Sequence, residues 1–216
     1  METLHRLVDV LLHTNLYLGQ LANQLGPWIY ALLFAVVFCE TGLVVTPFLP
    51  GDALLFSVGA LAATESSLNL GLVILTLLVA AWAGDTVNYW IGASFGARLF
   101  TNPQSRVFSH KNLERTHAFY ERHGAKTIIL ARYVPIIRTF APFVAGMATM
   151  SYAKFIMYNL AGGALWVLSV TLLGFFFGGL PAVQHNFSLV VLAIIVISIA
   201  PPAVEFLKAW RMRSRA

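Results

Sequence analysis

The sequence predicts an all-α integral membrane protein, and three observations support this fold class. Apolar residues make up 58% of the 216 residues and charged residues only 11%, well below the ~25% of an ordinary soluble domain. The mean hydropathy of the chain is +0.76. Apolar runs recur from residue 28 to residue 207, interrupted by prolines, glycines and charged residues. A soluble fold would lack the polar surface to cover so much apolar chain, so its surroundings must be largely lipid.

The first element is predicted to be an amphipathic helix over residues 1–26, lying on the membrane surface. Its leucines and valines recur at helical spacing, while acidic, basic and amide residues fill the positions between them, as in interfacial helices. The same polar residues argue against a cleaved signal peptide, which needs a purely apolar central stretch.

Residues 28–63 are predicted to form a first re-entrant hairpin. Its apolar arm is interrupted by Glu40 and is followed by the helix-breaking or turn-forming residues Pro47, Pro50 and Gly51. Neither arm clearly reaches the ~20 apolar residues that a spanning helix needs. A first arm that crosses the membrane fully is the alternative.

Three later stretches, 70–100, 152–180 and 187–207, are each long and apolar enough to be full transmembrane helices. A polar basic loop over residues 101–126 follows the first of them. Residues 127–150 come next and are predicted to form a second re-entrant hairpin, so the whole chain is one membrane domain.

The second predicted hairpin carries Arg132, Pro135, Arg138, Pro142 and Gly146 among apolar residues. The prolines are expected to break the helix. The glycine is expected to allow the turn at the tip of the hairpin.

Basic residues are concentrated in the loop 101–126 and in the tail 208–216, and these two clusters account for the net charge of +5. Both flank apolar segments, so the positive-inside rule places both on the cytoplasmic side, and nucleic-acid binding is not indicated. Two spans and one hairpin between them give the required even number of crossings. The two hairpins then enter from opposite faces of the membrane.

Short internal matches agree with this arrangement. Residues 47–51 resemble 142–146, and residues 91–96 resemble 173–178. Together with the opposed hairpins, the matches predict an inverted repeat, the architecture of many secondary transporters. Because the matches are short, chance remains the alternative.

Metal, disulfide and hydrolytic chemistry find no support in the sequence. Cys39 is the single cysteine, so no internal disulfide can form. The histidines of the basic loop are interpreted as solvated, and no metal or other cofactor is predicted. A nucleophile with its base, or a two-metal acid cluster, is also missing. We therefore expect a protein that is not an enzyme.

The candidate functional residues are ionisable groups in or against the apolar segments. Each costs about 2.5–3.5 kcal/mol to insert, so they are expected to face the protein interior and to pair with one another. They are Glu40, Asp52, Asp85, Arg132 and Arg138.

Two interpretations of these charges stay open. They can be structural ion pairs, or they can form a switchable site. In such a site Arg132 and Arg138 bind a phosphate head group, while Glu40 and Asp52 take up and release protons. Asp52 also precedes an apolar helix, where aspartate is a favoured N-cap, so cap and proton carrier are both open roles.

One face of the first full span carries small and polar residues. Asp85, Asn88 and Gly92 follow helical spacing and are flanked by Tyr89. We expect this face to pack against protein, with Asp85 bonded to a neighbour, in preference to direct substrate contact. The tryptophans are interpreted as interface anchors or packing residues: Trp28, Trp82, Trp90, Trp166 and Trp210.

Five sequence blocks together resemble the DedA family of VTT-domain proteins, over about residues 28–178. They are FCETGL (38–43), PFLPGDALLF (47–56), GD, NY and IG at 84–85, 88–89 and 91–92, HG with ARYVPIIRTF (123–124 and 131–140) and AGM (145–147). The resemblance implies a bacterial inner-membrane protein related to eukaryotic lipid scramblases. It places the family's essential acids on Glu40 and Asp52 and its essential arginines on Arg132 and Arg138.

The resemblance also implies a function in membrane homeostasis. We expect a proton-motive-force-linked flippase for an anionic lipid such as undecaprenyl phosphate or a phospholipid. Alternatives are a proton-coupled transporter of small ions or drugs, a passive phospholipid scramblase, and a scaffold without transport. The expected partners are membrane lipids and protons, and the sequence leaves a homo-oligomer open.

Overall fold

The structure is a computed structural model that describes residues 20–22, 24–43, 51–64, 68–99, 126–133, 135–148 and 150–197. Within these ranges every regular element is helical, which agrees with the predicted all-α class. The helices from Trp28 onward are α1 (Trp28–Gly42), α2 (Gly51–Thr64), α3 (Leu70–Leu99), α4 (Thr127–Ala131), α5 (Pro135–Met147), α6 (Tyr152–Gly178), α7 (Pro181–His185) and α8 (Phe187–Ile197).

Two helices, α3 and α6, are long and apolar enough to cross a membrane. Residues Leu70–Phe95 of α3 have a mean hydropathy of 1.9, and Tyr152–Gly178 has 2.0. The predicted spans 70–100 and 152–180 are thus confirmed as long continuous helices. The third predicted span, 187–207, is helical over Phe187–Ile197, and its remainder lies outside the described residues.

The outer faces of these helices are apolar. Leu72 and Leu75 of α3, Leu173 and Phe176 of α6, and Ile197 of α8 are each more than half exposed. Large apolar side chains on the outside of two long helices are what a lipid solvent requires.

Helices α1 and α2 form the two short apolar arms predicted for residues 28–63. They have 15 and 14 residues, less than the ~20 needed to cross the bilayer. Pro47 and Pro50 fall outside the described residues, as do residues 1–19, the loop 101–125 and the tail 208–216. The re-entrant path of this hairpin and the surface helix stay predictions.

The break in the second predicted hairpin lies earlier in the chain than expected. Helix α4 ends at Ala131 and α5 runs from Pro135 to Met147, so the break comes before Pro135 and Gly146, where the turn was expected, lies within a helix. Proline disfavours helical geometry in the residue before it, yet suits the first position of a helix. Pro142 lies inside α5 and does not end it, as proline in a transmembrane helix often does not.

By its internal contacts the chain divides into two compact units. Unit 1 comprises Met1–Ile29, Pro50–Val73 and Val170–Ala216; unit 2 comprises Tyr30–Leu49 and Ile74–Ser169.

In unit 1, helix α2 crosses the C-terminal part of α6 at very short range. A Cβ atom on Gly59 would collide with the carbonyl oxygen of Thr171, and one on Gly174 would collide with that of Phe56. Phe56 also packs with Phe187 of α8, their ring centroids 6.2 Å apart. Only glycine allows two helix backbones to approach this closely.

In unit 2, helix α3 crosses α5 in the same manner. A Cβ on Gly92 would collide with the carbonyl oxygen of Phe143, and one on Gly146 with that of Tyr89. Gly146 is therefore needed for close helix packing and not, as predicted, for a turn. Gly84 of α3 likewise lies against α1, where a Cβ would come within 2.9 Å of the Phe38 carbonyl oxygen.

Candidate functional site

Unit 2 contains a cluster of four buried charged residues. Glu40 lies in the last turn of α1, Asp85 in the middle of α3, Arg132 at the break before α5, and Arg138 in the first turn of α5. Their exposed fractions are 1%, 2%, 3% and 7%. Sequence analysis predicted all four as interior groups, and the structure confirms their burial.

The first ion pair joins Arg138 to Glu40. Nη2 of Arg138 donates to Oε1 of Glu40 over 2.7 Å, the length of a strong charge-assisted hydrogen bond. The two residues are 98 positions apart in sequence, so this pair connects the first predicted hairpin to the second.

The second ion pair joins Arg132 to Asp85. Nη2 of Arg132 donates to Oδ2 of Asp85, and also to Oδ1 of Asn159 over 2.5 Å. Asn159 in turn donates from Nδ2 to the backbone carbonyl of Trp82 over 3.5 Å. The bonded neighbour predicted for Asp85 is therefore Arg132.

Asn159 is a site residue that sequence reasoning missed. It is fully buried in the apolar helix α6. With Gly163 and Trp166 it follows the spacing i, i+4, i+7, which places all three on one helix face. An amide within a long apolar run was the available signal.

Both guanidinium groups lie against the Trp166 ring. The Cζ atoms of Arg132 and Arg138 are 5.7 Å and 5.0 Å from the ring centroid, within the range of a cation–π interaction. Trp166 is 1% exposed, so it is not an interface anchor. It is a packing residue, and it packs against the two guanidinium groups.

Asn88 ties three helices of unit 2 together. Its Nδ2 donates to the carbonyl oxygens of Thr41 on α1, over 3.1 Å, and Thr139 on α5, over 2.9 Å. The neighbouring Tyr89 donates its hydroxyl to the Met150 carbonyl and stacks on Phe155, with ring centroids 4.6 Å apart. The predicted polar face of this helix thus packs against protein.

Asp52 belongs to unit 1. It stands in the first turn of α2, directly after the buried Gly51 that begins the helix. Because the helix begins at Gly51, Asp52 follows the N-cap position and does not occupy it. A carboxylate in the first turn is still stabilised by the unpaired N–H groups there. The carboxylate that pairs with Arg132 is Asp85.

The electrostatics of the cluster are balanced. Two guanidinium groups face two carboxylates, and each arginine has its own acid. Removing one partner of a buried pair typically costs about 3–5 kcal/mol. Among the described residues no group of three or more His, Cys, Asp or Glu could hold a metal ion.

Long apolar helices with arginine–carboxylate pairs buried between them are features of an integral membrane protein. Comparison with known proteins identifies the family. The model of the VTT domain matches residues 49–176. The chain is a membrane protein of the DedA family.

Three relatives illustrate the similarity. Protein DedA of Escherichia coli (strain K12) is 53% identical over 217 residues, covering 100% of this chain and 99% of its own. An uncharacterized membrane protein of Mycobacterium tuberculosis is 40% identical, covering 85% and 81%. Inner membrane protein YqjA of Escherichia coli (strain K12) is 36% identical, covering 71% and 69%. No solved structure matches the chain.

Proposed function

We propose that this chain is a multi-pass inner-membrane transporter, not an enzyme, that flips an anionic lipid phosphate across the bilayer and is driven by the proton-motive force. The observation that carries the proposal is the pair of buried arginines beside Trp166, each balanced by its own carboxylate. Undecaprenyl phosphate and phospholipids are the candidate substrates.

Charge balance provides the switch in this proposal. While Glu40 is ionised, its carboxylate forms an ion pair with the guanidinium of Arg138. A phosphate would have to displace this carboxylate. Protonating Glu40 removes its charge and leaves Arg138 able to bind a phosphate group through two parallel N–H···O hydrogen bonds. Proton uptake and head-group binding are thereby coupled through one hydrogen bond. Asp52 is proposed as a second proton carrier.

The proposed architecture is an inverted repeat with two opposed re-entrant hairpins. Support comes from the two short arms α1 and α2, from the broken pair α4 and α5, and from a glycine-dependent helix crossing in each unit. The basic loop and the C-terminal tail are proposed to lie in the cytoplasm, in accord with the positive-inside rule.

The test is transport of labelled undecaprenyl phosphate in proteoliposomes that contain the purified protein, with and without an imposed pH gradient. We expect transport that follows the gradient and that falls to the level of protein-free vesicles in Arg138→Ala. Lys154→Ala is the matched control, because it removes a basic side chain that is exposed near the start of α6.

Other results would favour the alternatives. Gradient-independent movement of many phospholipids would indicate a passive scramblase. Movement of no lipid at all, in vesicles where the protein is folded, would contradict the proposal and favour a small-ion transporter or a scaffold.

A further inference from the structure

The backbone next to the Glu40–Arg138 ion pair makes a further connection between α1 and α5. Thr41 follows Glu40 on α1, and the residue that follows Arg138 on α5 is Thr139. The carbonyl oxygens of both threonines accept hydrogen bonds from one atom, Nδ2 of Asn88, over 3.1 Å and 2.9 Å. An amide NH2 group has two donors. Asn88 therefore uses both of them on the backbone beside the two members of the ion pair.

The face of α3 that carries Asn88 is in close contact with both of these helices. Gly84, Asn88 and Gly92 follow the spacing i, i+4, i+8 along this face. A Cβ atom on Gly84 would come within 2.9 Å of the Phe38 carbonyl oxygen of α1, and one on Gly92 would collide with the Phe143 carbonyl oxygen of α5. Asn88 lies between these two contacts and is fully buried, so it bonds α1 and α5 from a helix that touches both.

The two hydrogen bonds of Asn88, here called the Asn88 clamp, do not depend on charge. Apolar packing has a lipid alternative in the membrane, because lipid tails cover an apolar helix face as well as another helix does, so hydrogen bonds between helices contribute to their association. The ion pair needs an ionised Glu40, whereas the clamp contains only an amide and two carbonyls. The other buried charged groups described in unit 2, Asp85 and Arg132, pair with each other. Protonation of Glu40 thus weakens the ion pair and leaves the clamp intact.

We infer that Asn88 is a positioning residue for the proton switch: its clamp keeps α1 and α5 in register while Glu40 is neutral. Protonation then frees the Arg138 guanidinium without separating the two helices, and the ion pair forms again when the proton leaves. The inference rests on the proposed function and deepens it, because it names the group that keeps the site assembled after its ion pair is lost. Asn88 itself binds neither the proton nor the lipid in this account.

Cys39 is a built-in reporter for the test. It is the single cysteine of the chain, it is half-buried, and it precedes Glu40 on α1. Its rate of modification by a maleimide, at one fixed pH and in a maltoside detergent, measures how readily the end of α1 leaves its neighbours. Glu40→Gln represents the neutral acid, and Asn88→Leu removes the donors while keeping a side chain of similar size.

The expected result is a strong dependence of one substitution on the other. With Glu40 present, Asn88→Leu should change the Cys39 rate by less than about twofold, because the ion pair still connects the helices. In the Glu40→Gln protein, Asn88→Leu should raise the rate by about tenfold or more, because both connections are then lost. Each comparison keeps residue 40 the same, so the effect of its charge on the thiol cancels. Asn88→Ala repeats the test with a smaller side chain.

Gly174→Ala is the matched control, because it overpacks the helix crossing of unit 1 and leaves the clamp untouched. Added to Glu40→Gln, it should leave the Cys39 rate within about twofold of Glu40→Gln alone. A rise equal to that caused by Asn88→Leu would indicate a general loosening of the protein, and would overturn the inference.

The remaining outcomes separate the clamp from the proposed function. A rise with Asn88→Leu that is as large with Glu40 as with Gln at position 40 would make Asn88 an ordinary structural residue. No rise in either background would show that glycine packing alone holds the helices. Both results overturn the inference and leave lipid transport standing, because the Cys39 rate needs no transport. The proposed function fails by a different result, the absence of lipid movement by the unchanged protein.

Discussion

The two glycine-dependent helix crossings of this protein share one backbone design but differ in their side chains. In unit 1, Gly59 and Gly174 lie against the carbonyl oxygens of Thr171 and Phe56. In unit 2, Gly92 and Gly146 lie against those of Phe143 and Tyr89. In both crossings each helix contributes one glycine and one contacting carbonyl. The carbonyl belongs to the residue three positions before the glycine, and it contacts the glycine of the other helix.

The polar groups around the two crossings are of different kinds. Near the crossing in unit 1, the fully buried hydroxyls of Ser57 and Thr171 have no hydrogen-bond partner among the described residues. Beside the crossing in unit 2, Asn88 bonds two carbonyls, and two arginine–carboxylate pairs are buried in the same unit. The shared backbone explains the packing of both crossings, and the buried charges of unit 2 are an addition to that packing which the proposed function uses.

Breaking one ion pair of unit 2 is expected to give the largest effect. Arg138→Gln leaves Glu40 buried without its guanidinium, which should lower the free energy of unfolding by about 3–5 kcal/mol and abolish transport. Thermal unfolding in detergent measures the first effect. An unfolding temperature equal to that of the unchanged protein would show that the pair contributes nothing to stability.

Alanine at the crossing glycines is expected to come next, and to act equally in both units. Gly146→Ala and Gly174→Ala each force a Cβ into a carbonyl oxygen, so overpacking should cost about 1–3 kcal/mol. Gly179→Ala is the control, because no atom lies within 4 Å of its Cβ position. Should one crossing tolerate alanine, the two would not share a design.

Removing the bridging amide of unit 2 is expected to cost somewhat less than breaking an ion pair. Asn88→Ala removes the hydrogen bonds to the Thr41 and Thr139 carbonyls, and each such bond contributes about 0.5–1.5 kcal/mol net. The unfolding temperature measures the loss. Asn88→Asp, which cannot donate when ionised, should be no better than alanine.

The smallest effect is expected at the unpaired hydroxyl of unit 1. Ser57→Ala removes a buried polar atom that has no described partner, so unfolding should become harder by up to about 1 kcal/mol. Transport should not change. A clear destabilisation would mean that this hydroxyl does bond to something, and the contrast with Asn88 would disappear.

The sequence was informative wherever a local rule applies. Long apolar runs predicted α3 and α6, and the cost of burying charge identified Glu40, Asp85, Arg132 and Arg138 as interior groups. Helical spacing also predicted that the face with Asp85 and Asn88 packs against protein. Each of these inferences uses only the order of residues and the nature of the solvent.

What the sequence could not supply was the choice of partners. Arg132 pairs with Asp85 across 47 positions, and nothing local favours this acid over Asp52. The role of Gly146 was mistaken because a glycine that allows close packing looks, in sequence, like a glycine that allows a turn. Asn159 was missed, and the packing of Trp166 against two guanidinium groups was not foreseen, because only tertiary packing brings these residues to the arginines.

The most direct test of the central claim is transport of undecaprenyl phosphate by the double variant Glu40→Gln with Arg138→Gln, in proteoliposomes under a pH gradient. Removing both charges together leaves no buried charge unpaired, so the variant should unfold near the temperature of the unchanged protein. We predict a folded protein that transports nothing. Transport at the unaltered rate would show that the pair is structural, and would contradict a switchable phosphate site.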